Sequence, residues 1–271
     1  MKLRRGVLSL CLMALLAACQ SGPGQPSYDS DSMAASSAGD SELFGERADA
    51  RTRSKAHNDL AAAYYGLGNL GVALQESRIA VQADPSYASA YNMQGLINIE
   101  LRDNKAAEQS FLRGLQLAPQ DPDLNHNYGS FLCRVGRENE GVQRFMQAVK
   151  NPLYQTPAKS YSTAAQCVQR INPEESDGLY RNALRLEPNN PTILQQYAGL
   201  QYQRGKLDEA RDLMARYNRA VAEPNAEALW LQLRIERKLG NTRDEASYAA
   251  QLGRRFPNSP QRQALQRGAY D

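Results

Sequence analysis

An internal repeat of about 34 residues is the feature that most limits how this chain can fold. Small residues recur at intervals of 34, 34, 35, 34 and 36, at Ala73, Ala107, Gly141, Ser176, Ala210 and Ala246. Glycines precede four of these positions by about five places, at Gly68, Gly136, Gly205 and Gly240. A fixed period of this order is typical of chains built from stacked, similar units. The sequence therefore predicts an array of such units.

Each unit is predicted to be a pair of helices. Apolar residues follow one another at three- and four-residue spacing, as at Tyr64, Leu67, Leu70 and Leu74, with no strand-like alternation. The repeated glycines suit the left-handed residue that ends a first helix. Prolines close the second helices, at Pro85, Pro119, Pro188 and Pro257. Because a helix pair buries its small-residue face only against a neighbour, we expect an all-α, right-handed superhelical solenoid with a concave groove.

The N-terminus has the pattern of an export signal. Basic residues at positions 2, 4 and 5 precede an apolar run of twelve residues, Val7 to Ala18, which is too short for a permanent membrane span. The run ends in Leu-Ala-Ala-Cys, which resembles the bacterial lipobox and implies cleavage before Cys19 and acylation of that residue. Gln20 after the cysteine implies sorting to the outer membrane. The alternative is an ordinary signal peptide with a chance cysteine.

A flexible tether is predicted after Cys19. From Gln20 to Ser41, 15 of 22 residues are Ser, Gly, Pro or Asp, which bury too little apolar surface to fold, whereas Glu42 to Ala50 begins to have a helical pattern. The predicted organisation is a signal peptide at 1–18, the lipidated cysteine and tether at 19–50, six repeats at 51–257 and a cap at 258–271. Removal of the leader leaves 29 basic against 29 acidic residues, a balance that argues against nucleic acid as a partner.

The repeat units resemble the tetratricopeptide repeat family. The first unit, Ala56 to Pro85, and the fifth, with Gly205 to Ala210, match the family pattern closely, and the resemblance covers about residues 55–257 in six units. Three units depart from the pattern. The fourth has Ile-Asn-Pro at 171–173 in place of the glycine turn, the third has Gly141 for the usual alanine, and the sixth is a residue or two out of step.

The resemblance implies a binding groove lined by recurring positions of the first helices. In the first three units these are Asn58, Ala62 and Tyr65; Asn92, Leu96 and Ile99; and His126, Ser130 and Arg134. Asparagine amides can bind a peptide backbone at both its N–H and its C=O groups, and the apolar members would form a floor. We therefore expect an apolar, amphipathic or strand-like protein segment as ligand. The alternative is that Leu96 and Ile99 only pack between helices.

Two of the four cysteines remain in the predicted folded body. Cys133 and Cys167 are one repeat period apart, so they occupy equivalent or adjacent positions on the first helices of neighbouring units. In an oxidising periplasm this placement favours a disulfide between units three and four. Two buried thiols are the alternative.

No convincing catalytic or metal site is found, and no cofactor is predicted. Paired carboxylates at 174/175, 208/209 and 244/245 share one repeat position, the first turn of a second helix, where negative charge suits the helix dipole. His57 and His126 are far apart in sequence and have no other metal ligand at suitable spacing. An enzyme, such as a periplasmic hydrolase on a helical solenoid, is accordingly the least favoured class.

A lipobox, a Ser/Gly tether and six repeats together resemble the pilotin lipoproteins of type IV pilus biogenesis. That resemblance implies a non-catalytic role: binding subunits of the outer-membrane secretin, reaching the outer membrane with the lipoprotein sorting machinery, and permitting the secretin ring to assemble. It also implies a lipid-anchored protein that faces the periplasm. The alternative is a repeat lipoprotein that serves as a scaffold for outer-membrane protein assembly or for peptidoglycan enzymes.

Overall fold

The computed structural model describes residues 38–270, and all regular structure in that range is helical. Its thirteen helices are α1 (Ala38–Gly66), α2 (Leu70–Ala83), α3 (Ala88–Glu100), α4 (Asn104–Leu117), α5 (Pro122–Arg134), α6 (Glu138–Ala148), α7 (Pro157–Val168), α8 (Pro173–Leu186), α9 (Pro191–Gln203), α10 (Leu207–Ala220), α11 (Ala226–Leu239), α12 (Thr242–Arg255) and α13 (Pro260–Arg267). They form six consecutive pairs, from α1/α2 to α11/α12, and α13 packs against α11 and α12. The predicted all-α solenoid of six units is confirmed.

The N-terminal part of the chain lies largely outside the described residues. The chain divides into residues 1–45 and 46–271, and the helix pairs occupy the second unit. Within the first unit, residues 38–45 are helical, so helix α1 begins earlier than the predicted tether end at residue 50. The signal peptide, Cys19 and most of the predicted tether lie outside the described range. Among the described residues, no helix combines the length and apolar character needed to cross a membrane.

The turns within the pairs are set by local sequence. Gly68, Gly136, Gly205 and Gly240 all have positive φ, as the capping pattern predicts. At the equivalent place in the second unit the chain has Arg102, which adopts the same left-handed conformation with φ 61°. Asparagine or aspartate side chains accept a backbone N–H at the start of several second helices, for example Asp103 from the amide of Ala106. Local chemistry therefore defines where each hairpin bends.

The repeated small residues are buried where successive helices meet, with one exception. Ala73, Ala107 and Ala210 have no exposed surface, but Ala246 is exposed. Gly240 stands five places before the half-buried Glu245, as Gly68 and Gly205 stand five places before their buried alanines, so that Glu245 takes the inward register and Ala246 faces outwards. The prediction of Ala246 as the sixth small position is therefore wrong.

The two other departures from the pattern also have structural explanations. Four residues, 169–172, separate α7 from α8, one more than in most of the other pairs, and Asn172 caps α8 by accepting from the amide of Glu175. At Gly141 a Cβ atom would lie 2.6 Å from Cys133 Sγ and 2.9 Å from the carbonyl oxygen of Gly129. Glycine is required at position 141 because α6 approaches α5 this closely.

Candidate protein-binding groove

The predicted groove residues occupy fixed positions relative to the buried small residue of each unit. Asn58, Ala62 and Tyr65 stand at offsets of −15, −11 and −8 from Ala73. Asn92, Leu96 and Ile99 stand at the same offsets from Ala107, and His126 and Ser130 keep the first two offsets from Gly141. These residues lie on α1, α3 and α5, the first helices of three successive pairs.

The asparagine positions form part of a polar line across the first helices. Asn92 Oδ1 accepts a hydrogen bond from Asn127 Nδ2 at 3.0 Å, so that α3 and α5 are linked. In the described part of the chain, Asn92 Nδ2 has no hydrogen-bond partner. Asn58 Oδ1 is buried and likewise has no donor among the described residues. Asn92 is therefore held in place by one end of its amide, while the other end is available to a ligand.

The predicted apolar floor is both packed and accessible. Leu96 and Ile99 are half-buried and pack against a cluster that contains Phe111 and Phe131. Tyr65 is also half-buried and packs against a neighbouring cluster formed by Ala61, Ala73 and Ile97, and Ala62 has similar exposure. The alternative that these side chains contribute to helix packing therefore holds, but each also keeps surface for a ligand.

Tyr65 stands near a charged pair at the end of the same surface. Arg134 Nη1 lies 3.5 Å from Glu100 Oε1, an ion pair between the third and second units. Burial raises the pKa of the Tyr65 hydroxyl above its ordinary value, and the Glu100 carboxylate adds to the rise. Arg134 occupies the register of Glu100, seven places before the small position, so Cys133 and not Arg134 is the equivalent of Ile99. That placement corrects the predicted third set.

His126 does not line an accessible groove. Its side chain is 6% exposed, Nδ1 is 2.7 Å from Ser160 Oγ, and its ring meets Phe145 at 5.3 Å. Burial lowers the pKa of His126 to about 4, so that the imidazole is neutral near pH 7. Ser130, half-buried, donates to the carbonyl of His126 at 3.1 Å. The groove assignment of His126 is wrong, because Phe145 and Ser160 surround it.

Cys133 and Cys167 are joined as a disulfide between α5 and α7, with Cα atoms 5.6 Å apart. The bridge connects the first helices of the third and fourth units, as the sequence separation of 34 indicates. It stands beside the close approach at Gly141 and before the longer turn at residues 169–172. The bridge therefore fixes the stacking of two units at the place where the repeat pattern departs most from regularity.

The groups considered for catalysis have structural roles. The three carboxylate pairs lie in the first turns of α8, α10 and α12, as predicted. His57 Nδ1 is 2.6 Å from Glu76 Oε2, a contact between α1 and α2. Within the described range, no group of three or more His, Cys, Asp or Glu residues is arranged to hold a metal ion.

The last two units carry groove positions that the sequence prediction does not include. Trp230 and Arg234 stand at offsets of −15 and −11 from Glu245, and Tyr202 stands at −8 from Ala210. The same offsets that select Asn92, Leu96 and Ile99 would find them. Alignment of the sixth unit on Ala246, which is adjacent to the true position, hides Trp230 and Arg234, whereas Tyr202 follows from Ala210 without it.

Comparisons with known proteins agree with this architecture. The tetratricopeptide repeat family matches residues 58–122 and, separately, residues 164–233. The type IV pilus assembly protein PilF of Pseudomonas aeruginosa is 26% identical to this chain over 212 residues, which are 78% of this chain and 84% of PilF. A solved structure of the Pseudomonas aeruginosa PilF protein superimposes with a TM-score of 0.69 at 26% identity, over 82% of this chain and 99% of that one.

PilW, a widely conserved type IV pilus biogenesis factor, gives a TM-score of 0.73 at 27% identity. That match covers 79% of this chain and 98% of PilW. The similarity thus spans nearly the whole of both solved relatives. The chain thus contains tetratricopeptide repeats and resembles the pilus biogenesis factors PilF and PilW.

Proposed function

We propose that this protein is a non-catalytic lipoprotein that binds secretin subunits and promotes their multimerisation in the outer membrane during type IV pilus biogenesis. In this proposal, Cys19 carries the lipid anchor, the lipoprotein sorting machinery delivers the protein, and the repeats face the periplasm. The observation that carries the proposal is the similarity to PilF and PilW over nearly their whole length, which supports a role in pilus biogenesis.

The groove of the first three units supports protein binding as the means of that role. Asn92 Nδ2 is free to donate to a backbone carbonyl of a partner segment, and Leu96 and Ile99 offer apolar surface beside it. A donor held by a second hydrogen bond loses little conformational freedom when it binds, which favours affinity. This arrangement fits an extended segment with an apolar face.

The direct test is the affinity of the purified protein for a secretin protomer. We expect Asn92→Ala to weaken binding by about 1 to 3 kcal/mol, because one donor to the partner and its anchor to Asn127 are both lost. Gln109→Ala, an exposed change on α4, is the matched control and should bind as the wild type does. Wild-type affinity of a folded Asn92→Ala protein would exclude this groove.

A second pair of variants tests the apolar floor. Leu96→Asp places a charge on the floor, and Leu112→Asp makes the same change at a side chain on α4 that is 41% exposed. Because Leu96 also packs against the Phe111 cluster, its variant must first be shown to keep helix content by circular dichroism. Loss of secretin binding by the folded Leu96→Asp protein, with binding retained by Leu112→Asp, is the expected result.

The anchor is tested separately. Cys19→Ser should leave the repeats folded, abolish lipid labelling and release the protein from the outer-membrane fraction, because acyl chains supply the membrane affinity. Unchanged outer-membrane fractionation of this variant would contradict the lipoprotein assignment. If detergent-solubilised, lipidated protein instead co-purifies with barrel-assembly components or peptidoglycan enzymes and not with secretin, the scaffold alternative is correct.

A further inference from the structure

Two cations and an aromatic ring form a compact group on the first helices of the last two units. Arg234 and Lys238 lie one turn apart on α11, and the Arg234 guanidinium carbon is 4.5 Å and Lys238 Nζ 4.4 Å from the centroid of the Tyr202 ring on α9. Arg234 and Tyr202 occupy the registers of Leu96 and Ile99 in the second unit. Arg234 and Tyr202 therefore stand at groove positions, and Lys238 lies beside them in the register of Glu100, seven places before Glu245.

Neither cation has an acidic partner in the described part of the chain. A neighbouring arginine on the same helix, Arg237, shows the contrast, since its Nη1 lies 2.7 Å from Glu245 Oε1. Arg234 Nε is buried and has no hydrogen-bond acceptor among the described residues. Like charges four residues apart on a helix destabilise it, and an unsatisfied buried donor adds a further cost. The repulsion between the two charges would be relieved by an anion that contacts both side chains together.

Further aromatic surface lies on the same helix. Trp230, one turn before Arg234, stacks on Tyr270 with ring centroids 5.7 Å apart, and the Arg237 guanidinium lies 3.8 Å from the Tyr270 ring. The part of α11 that carries the two cations is therefore flanked by aromatic rings from other segments of the chain. Aromatic surface next to cations is suited to a segment that mixes carboxylates with apolar side chains.

We propose that Arg234, Lys238 and Tyr202 form an anion-recognition subsite that takes carboxylate side chains of an acidic protein segment. Charge complementarity identifies the ligand as an anion. A protein segment is favoured over a lipid headgroup because the equivalent groove positions of the second unit present amide and apolar groups. The inference rests on the proposed function only in assuming that the groove receives a protein segment. It adds that the ligand is apolar at one end and acidic at the other.

Trp230 provides the measurement, because it is the only tryptophan of the chain and belongs to this helix. The probe is a short synthetic peptide that mixes glutamate with leucine and serine, and its counterpart has glutamine for every glutamate. We expect the acidic peptide to change Trp230 emission and to bind about tenfold or more tightly than its counterpart, with the preference lost at high salt. Equal responses to the two peptides would overturn the proposal.

The variants separate this subsite from general electrostatic attraction. The double variant Arg234→Gln/Lys238→Gln should abolish the preference for the acidic peptide. The control double variant Arg219→Gln/Arg243→Gln removes the same charge from exposed positions on α10 and α12 and should keep that preference. Equal loss in both double variants would contradict the assignment.

The lipid alternative and the proposed function are tested in parallel. If vesicles containing phosphatidylglycerol, and not the acidic peptide, change Trp230 emission in a manner that depends on Arg234 and Lys238, the subsite recognises lipid and the proposal is wrong. Secretin binding through Asn92 is measured with a different ligand. Failure of the acidic subsite with intact Asn92-dependent secretin binding would refute only this inference, and the reverse result would refute only the secretin proposal.

Discussion

Replacement of Gly141 by alanine is the sharpest test of how the two helices of the third unit, α5 and α6, are packed. The added methyl would lie 2.6 Å from Cys133 Sγ and 2.9 Å from the Gly129 carbonyl oxygen. The sulfur is held by the bond to Cys167, and the carbonyl belongs to the backbone of α5, so neither neighbour can move away as a flexible side chain would. The variant must separate α6 from α5 to relieve the overlap.

The magnitude follows from two opposing contributions. Alanine in place of a helix-interior glycine stabilises by about 1 kcal/mol, and overpacking in a well-packed contact costs about 1 to 3 kcal/mol. Gly178→Ala on α8 is the matched control, because nothing lies within 4 Å of its added Cβ and it has only the favourable contribution. The difference between the two variants isolates the overlap, and we expect Gly141→Ala to be less stable by about 1 to 3 kcal/mol, towards the upper end of that range.

Urea unfolding followed by far-ultraviolet circular dichroism measures this difference. A difference of this size should also separate the melting temperatures, by about 2 to 4 °C for each kcal/mol in a chain of this length. Equal stability of the Gly141→Ala and Gly178→Ala proteins would refute the close approach of α6 to the Cys133 side chain.

Three further predictions concern the repeats. Reduction of the Cys133–Cys167 bridge should lower the free energy of unfolding by about 4 kcal/mol in the chain-entropy treatment of the closed loop. The melting temperature should therefore fall, without a change in helix content at ambient temperature. Two free thiols in unreduced protein would contradict the bridge. Arg102→Gly should stabilise the protein by about 1 kcal/mol in urea unfolding, because glycine removes the steric cost of the left-handed conformation at φ 61°. A destabilised variant would argue against that conformation. The free energy of unfolding should fall as pH drops from the ordinary histidine pKa towards about 4, by up to about 1.4 kcal/mol per pH unit. The cause is that the unfolded chain binds a proton that buried His126 does not. His126→Gln should remove that slope in urea titrations.

The architecture was accessible from sequence because local and global signals agree. The repeated small residues mark where helices touch, and the positive-φ glycines mark where first helices end, so six pairs follow from spacing alone. The one misplaced unit shows the limit of this reasoning. Gly240 stands five places before Glu245, as the other capping glycines stand before their small residues, but alignment on the small residue Ala246 shifts the sixth unit by one place.

The candidate site was predicted less well, because repeat register identifies a helix face but not what covers it. His126 has the register of Asn92, but it is buried against Phe145 and Ser160, side chains that come from α6 and α7. The ion pair between Arg134 and Glu100 likewise depends on the rotation between neighbouring units, which sequence spacing does not specify. Burial and pairing of long side chains across units therefore required the three-dimensional structure.

The proposed role in secretin assembly is measured by the amount of secretin multimer in the outer membrane of a strain that lacks this protein. We expect that the multimer falls in the deletion strain, that wild-type protein and Gln109→Ala restore it, and that Cys19→Ser and Asn92→Ala do not. Cys19→Ser should fail through mislocalisation, and Asn92→Ala should reach the outer membrane and fail through lost binding. Normal amounts of secretin multimer in the deletion strain would contradict the proposed role in secretin assembly.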